Sequence, residues 1–256
     1  MSECCKQGSF HKGTAVGSET KLADRDVYVT GDESSSVAIL LVPDIFGWRL
    51  NNTRCLADKY AKGVGARVYV PDFFDGEAVP TEVMSDPKLR EKFDIMAFLG
   101  KYHPREASWP KVEAVVEAIR STQKGVKKVG AIGFCWGAPS CLYLGSTRAK
   151  KSAHVDAIGF AHPSVSETSD FEHLDAPSLF LCAEHDEMLP DDKRNAAIDV
   201  TKKLTKEKGT FVKWVYYPNT THGFATRGDE EDGYVARCMQ DAANEAISHF
   251  RASLLA

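Results

Sequence analysis

One five-residue stretch limits the folds open to this chain more than any other. Gly133-Phe134-Cys135-Trp136-Gly137 closes the apolar run Val129-Gly130-Ala131-Ile132 and opens a helical stretch. The spacing is that of a G-x-S-x-G nucleophile elbow with cysteine in place of serine. A nucleophile on so tight a strand-to-helix turn is forced into left-handed backbone geometry, and only small neighbours keep the two backbones apart. Gly133 and Gly137 are those neighbours. The turn holds the sulfur above the end of the strand, where the first amides of the helix favour a thiolate and offer an N–H to a developing oxyanion. The plainer reading is a core cysteine between two packing glycines.

An elbow needs a sheet to stand on, and the chain supplies one. Short apolar or alternating runs at 26–30, 37–42, 67–70, 155–160, 178–183 and 211–217 read as strands, the first as an edge strand and the second as a strand covered on both faces. Helical patterns separate them. Ser85-Asp86-Pro87 makes a capped helix start followed by Leu89, Phe93, Met96 and Leu99, read as one core-facing stripe. Val112, Val115, Val116 and Ile119 mark another helix, and 232–254 closes the chain as an amphipathic one. Strands alternating with helices, without an internal repeat, predict an α/β fold with a mostly parallel sheet covered on both faces. At 256 residues and 43% hydrophobic, the length suits one domain. The expected division is an N-terminal arm over 1–24, polar and loosely docked, and a single domain over 25–256.

Composition removes several function classes. A net charge of −4 without a long block of either sign argues against nucleic acid as a partner. No apolar run approaches the ~20 residues of a bilayer span, and the first residues lack the apolar segment of a secretory leader. A cytoplasmic protein with no membrane partner is expected. Seven cysteines, an odd number spread over a long chain, fit reduced thiols better than a disulfide framework. Cys4-Cys5 and His11 lack zinc-site spacing, and no metal or organic cofactor is expected. Nothing in the patterning bears on oligomeric state.

The loops after the strands carry the remaining chemistry. Asp186 follows the 178–183 run and His222 follows the 211–217 run, so nucleophile, acid and histidine occur in the chain order of the α/β-hydrolase fold. Pro43-Asp44-Ile45-Phe46-Gly47 follows an early strand, where hydrolases of this architecture place a second oxyanion N–H; Ile45 or Phe46 is the candidate donor. Asp44 reads equally as a helix-start neighbour or as a carboxylate facing the thiol. His162, after the 155–160 run, reads as a hydrogen-bonded structural histidine.

With these residues in view, the chain from about residue 25 onward resembles the dienelactone hydrolases (carboxymethylenebutenolidases). The resemblance rests on Asp44-Ile45-Phe46-Gly47, Pro71-Asp72-Phe73-Phe74, the cysteine elbow, Asp186 and His222-Gly223-Phe224. It implies a lactone or ester hydrolase of small molecules in which Cys135 is the nucleophile, His222 the base and acid, Asp186 its orienting partner, and the amides of Ile45 and Trp136 the oxyanion hole. Asp44, Phe46, Phe74 and Arg227 are the residues it implies for modulating the thiol or binding substrate. Asp44 stands where the bacterial enzymes have a glutamate. Asp75-Gly76-Glu77 stand where one of two carboxylate-binding arginines is expected, and the other falls near Thr226, one residue before Arg227. Arg227 either grips an acidic or carbonyl group of the substrate or forms a surface ion pair with its acidic neighbours. The pattern is similar to the eukaryotic branch of the family, which tends to carry a paired-cysteine segment such as Cys4-Cys5. Two other classes compete with the hydrolase: a thiol redox or peroxide sensor pairing Cys135 with Cys141 or Cys182, and a ligand-binding module on the same scaffold.

Overall fold

The computed structural model describes residues 3–256 apart from Pro104 and Glu106. Among the described residues eight strands form one sheet: β1 (Ser18–Leu22), β2 (Arg25–Thr30), β3 (Val37–Val42), β4 (Arg67–Pro71), β5 (Lys128–Phe134), β6 (Ala157–Ala161), β7 (Ser178–His185) and β8 (Val212–Thr221). Their spatial order is β1-β2-β4-β3-β5-β6-β7-β8. β1 and β2 run antiparallel, and β3 to β8 form a parallel set. The helices are α1 (Asn51–Val64), α2 (Glu82–Ser85), α3 (Pro87–Lys92), α4 (Ile95–Lys101), α5 (Trp109–Thr122), α6 (Ala138–Leu144), α7 (Asp191–Lys208), α8 (Phe224–Arg227) and α9 (Gly233–Leu254).

The apolar run of β3 is continuous because each face meets its own layer. Ala38, Leu40 and Val42 pack into one core with α5 and α6, while Val37, Ile39 and Leu41 pack into the other with α1 and α9. Central parallel strands with both faces covered read this way in sequence. The site then falls beyond the C-terminal ends of these strands, as in other open α/β sheets.

Three expectations differ from the structure. The edge strand is β1, not 26–30: Ser18–Leu22 is polar and mostly exposed, held by backbone pairing to β2 rather than by an apolar face. The sheet therefore begins within the segment assigned to the arm. The arm itself is docked from residue 3 onward, residues 1 and 2 lying outside the described chain. Glu3–Lys6 forms a 3-10 turn, Lys6 Nζ donates to the Arg90 carbonyl at 2.8 Å, the Ser9 amide to the Arg227 carbonyl at 2.9 Å, and Asn52 Nδ2 to the Ser9 carbonyl at 2.8 Å. The stripe through 89–99 is not one helix. Asp86 caps α3 through the Lys88 and Leu89 amides, Asp94 caps α4 through Ala97, and the second cap resets the helical phase. Leu89 and Met96 are consequently exposed while Leu99 is buried. Among the described residues no helix is long and apolar enough to cross a membrane.

Candidate active site

Cys135 follows β5 directly, with φ of +50°. A non-glycine residue in this region stores backbone strain on the order of 1–3 kcal/mol, held in place by the packing around it. The two glycines explain how the turn closes. A Cβ on Gly133 would lie 2.4 Å from the Gly137 carbonyl oxygen, and one on Gly137 would lie 2.2 Å from the Val42 carbonyl oxygen. Helix and strand thus approach to a distance no side chain permits. Trp136 is anchored by its indole N–H, which donates to the Tyr102 carbonyl at 2.7 Å, and its ring lies 4.6 Å from that of Phe74. Phe74 is fully buried as a wall behind the elbow.

His222 follows β8, and its Nδ1 lies 2.9 and 3.0 Å from the two carboxylate oxygens of Asp186 at the end of β7. A carboxylate only accepts, so Nδ1 carries the proton and Nε2 faces the elbow. The Asp186 carboxylate is itself fixed by the Met188 amide at 2.9 Å. Both side chains are essentially inaccessible to solvent. At Nε2 two groups converge: Ser164 Oγ at 3.4 Å and Cys5 Sγ at 3.6 Å. Ser164 Oγ also lies 3.0 Å from Cys135 Sγ and 3.5 Å from Cys5 Sγ. The serine therefore links nucleophile and imidazole, and the Cys5 thiol completes a buried cluster. Ser164 is held by its amide, which donates to the Cys135 carbonyl at 2.9 Å.

The electrostatics favour an ion pair within this cluster. Burial opposes the charged form of Cys135, but a hydrogen bond from Cys5 and the charges of His222 and Arg227 hold its pKa well below the ordinary thiol value. Burial likewise opposes imidazolium, yet the Cys135 thiolate and the Asp186 carboxylate push His222 up to about 10. Cys5 is displaced the other way: hydrogen bonding to Cys135 and Cys4, together with burial, keeps it a neutral thiol. Two cysteines in one cluster thus take opposite protonation states.

Asp44 and Arg227 pair with each other, which excludes the surface ion pair as the setting of Arg227. Arg227 Nε donates to Asp44 Oδ2 at 2.8 Å and both side chains are completely buried, so neither is a surface group. Arg227 Nη1 donates to the carbonyls of Gln7 at 2.6 Å and Cys5 at 3.3 Å, which ties the N-terminal turn to the site. Its guanidinium lies 5.1 Å above the Phe46 ring. Burial raises the pKa of Asp44 despite the opposing charge of Arg227. The Phe46 amide is already donated to Asp44 Oδ1 at 3.0 Å, which leaves Ile45 as the amide of this loop available to an oxyanion. His162 is not hydrogen-bonded through its ring: it is buried with both nitrogens unpartnered among the described residues, its ring 5.2 Å from that of His222. Burial and the charge of His222 keep it neutral.

A cleft of about 980 Å³ opens over the strand ends and reaches His222, Asp186, Arg227 and Cys4. Cys135 lies below it, fully buried. The ligand atoms of Cys4, Cys5 and His222 all lie within 4.8 Å of one another, close enough to share a metal ion. Cys141 and Cys182, the redox partners considered from sequence, are buried in α6 and β7; burial raises both thiols, Cys182 to about 12. The cysteine that meets Cys135 is Cys5. Sequence reasoning missed Cys5 and Ser164 because neither stands in a motif; the signal for Ser164 was its position in the loop after β6, and for Cys5 the cysteine pair itself.

The sequence profile of the dienelactone hydrolase family matches residues 26–254. The chain belongs to the dienelactone hydrolase family. It is an enzyme that hydrolyses carboxylic esters or lactones of small molecules. Relatives within the family include the hydrolase tropI of Talaromyces stipitatus, 30% identical with 96% of this chain and 94% of the relative covered, and a carboxymethylenebutenolidase homolog of Rattus norvegicus, 30% identical with 84% and 82% covered. A putative dienelactone hydrolase of Klebsiella pneumoniae, 18% identical, superposes with a TM-score of 0.70 over 92% of this chain and 98% of its own. That likeness concerns the fold: the mostly parallel sheet with helices on both faces is the α/β-hydrolase fold. The family match starts at residue 26, so the N-terminal turn that delivers Cys5 lies ahead of it.

Proposed function

We propose that this dienelactone hydrolase relative cleaves enol-lactones, aryl esters and other activated esters through a Cys135-His222-Asp186 triad and a thioester intermediate. The observation that carries the reading is the strained Cys135 at the elbow, beside an imidazole whose far nitrogen is fixed by a buried carboxylate. The Cys135 thiolate attacks the acyl carbon, and the oxyanion settles on the amides of Ile45 and Trp136. The C–O bond to the leaving group then breaks as His222 Nε2–H donates its proton to the departing oxygen, and the thioester remains. Water, deprotonated by His222, attacks the thioester; the tetrahedral adduct expels the Cys135 thiolate and releases the acid. Ser164 Oγ, between sulfur and imidazole, relays or steadies the proton on this path.

Sulfur sets the substrate class. A thiolate is a better leaving group than a simple alkoxide, so the first tetrahedral adduct of an alkyl ester reverts to reactants. Enolates and phenolates compete successfully. Because Cys135 lies beneath Cys5, an acyl group reaches the sulfur when the Glu3–Lys6 turn moves outward. The test compares aryl and ethyl esters of one acid and looks for a covalent acyl adduct on Cys135 by mass spectrometry after rapid acid quench. An aryl preference and an adduct that disappears in Cys135→Ala are expected. Equal turnover of both esters without an adduct would overturn the mechanism.

A further inference from the structure

The N-terminal turn brings two sulfurs to the imidazole that the hydrolytic mechanism needs free. We propose that Cys4, Cys5 and His222 form an inhibitory binding site for a thiophilic divalent cation, Zn²⁺ foremost. The inference rests on the reading of Cys135 and His222 as reacting groups for its effect on turnover, and on geometry alone for binding.

The distances suit a tetrahedral ion. Zn–S bonds of about 2.3 Å and Zn–N bonds of about 2.0–2.1 Å place a sulfur and a nitrogen on one tetrahedral ion about 3.6 Å apart. Cys5 Sγ and His222 Nε2 are 3.6 Å apart before any ion enters. Cys4 Sγ lies within 4.8 Å of both, so it moves by about an ångström to complete a three-point clamp. The fourth position of a tetrahedral ion is left to water from the cleft that Cys4 lines.

The support around the ligands is also present. Metal-binding histidines characteristically donate their second N–H to a carboxylate, which fixes the ring and makes the ligating nitrogen more basic. Asp186 makes that contact to Nδ1 at 2.9 Å. Arg227 grips the carbonyls of Cys5 and Gln7, holding the turn that carries both cysteines. An entry path exists, because Cys4 is half-buried and lines the cleft while Cys5 sits behind it.

Binding is a proton exchange. Cys4 and Cys5 ligate as thiolates and His222 through a neutral Nε2, so the protons these atoms carry pass to buffer as the ion binds. The occupied site has no free base and the N-terminal turn is pinned to His222, so hydrolysis stops. Soft ligands exclude Mg²⁺ and Ca²⁺, which prefer oxygen.

The experiment titrates reduced, metal-free protein with Zn²⁺ alone against a chromophoric zinc chelator, and in parallel with Co²⁺, whose thiolate charge-transfer bands report sulfur ligation without reference to activity. One ion per chain is expected, with ester hydrolysis falling along the same curve and returning on addition of chelator. Cys4→Ser is expected to weaken Zn²⁺ at least tenfold and to reduce the Co²⁺ thiolate bands, while its hydrolysis in metal-free buffer stays at the parent level. Cys5→Ser should lose a further share of the bands. Unchanged affinity and spectra in both variants would mean that the ion sits on Cys135 and His222 alone, and would overturn the proposal, as would the absence of binding. Should the chain hydrolyse no ester, the Co²⁺ spectra still decide the site.

Discussion

Two cysteines meet in one buried cluster around Ser164, and the regions that carry them are built in opposite ways. Cys135 is delivered by the centre of the sheet: a strand buried from Val129 onward, a strained turn locked by two close backbone approaches, and a helix. Cys5 is delivered by a short 3-10 turn ahead of the sheet, attached through carbonyl contacts to Arg227 and Arg90. One position is dictated by the fold and the other by a handful of polar contacts. The difference suggests a division of labour in which the sheet supplies fixed chemistry and the N-terminal turn supplies control over access to it.

The widest gap between the two regions should appear on removing each thiol in turn. Cys135→Ala is expected to lower kcat/KM for an aryl ester by about 10⁴-fold, the scale of losing a nucleophile, with little change in thermal unfolding. Steady-state assays and a melting curve on the same preparation check both halves. Asp186→Asn keeps the shape of the site but loses the carboxylate that fixes the His222 proton on Nδ1, and should cost about 10²–10⁴-fold; retention of full activity would separate His222 from the acid.

The tether between the regions comes next. Arg227→Met leaves the Asp44 carboxylate buried without its partner and is expected to destabilise the fold by about 3–5 kcal/mol, read by urea denaturation, and to loosen the turn, read as faster alkylation of Cys5. An Arg227→Met variant as stable as its parent would show that the tether is dispensable. The smallest effect is the most specific. Cys5→Ala removes a donor to the Cys135 thiolate, so the pKa of Cys135 rises and the acid limb of the kcat/KM profile moves to higher pH. The alkaline limb, set by loss of the His222 proton at about 10, stays close to its place. An acid limb that does not move would mean the two thiols do not communicate.

The same contrast explains what was legible in the sequence. Strands β3 to β7 announce themselves because a strand buried on both faces has to be apolar, and the elbow because glycine is required on either side of so close a crossing. The residues these elements present, Cys135, Asp186 and His222, follow from the same logic, and the structure brings them to one end of the sheet. β1 was invisible because an edge strand satisfied by backbone pairing needs no hydrophobic pattern. The break between α3 and α4 was hidden by a periodicity that continues through Asp94, whose capping role appears only once the backbone is seen to turn. Arg227 read as either a substrate-gripping group or a charge paired within its acidic stretch, and the partner the fold gives it is Asp44, 183 residues away along the chain. Ser164 and Cys5 are contacts across 58 and 217 residues to His222, and single polar residues at such separations leave no periodic trace.

The placement of the two chain ends has a practical side. The last helix finishes with Leu254 against Gly130, near the start of β5 and so at the end of the sheet away from the cysteine cluster, and the terminal residues beyond it are exposed. Glu3, by contrast, is two residues from a sulfur in van der Waals range of the His222 ring. A purification tag or reporter joined to the C-terminal end stands clear of the cleft, whereas one joined ahead of Glu3 bears on the turn that packs against His222, and proteins handled in these two formats should not be assumed to have the same rate.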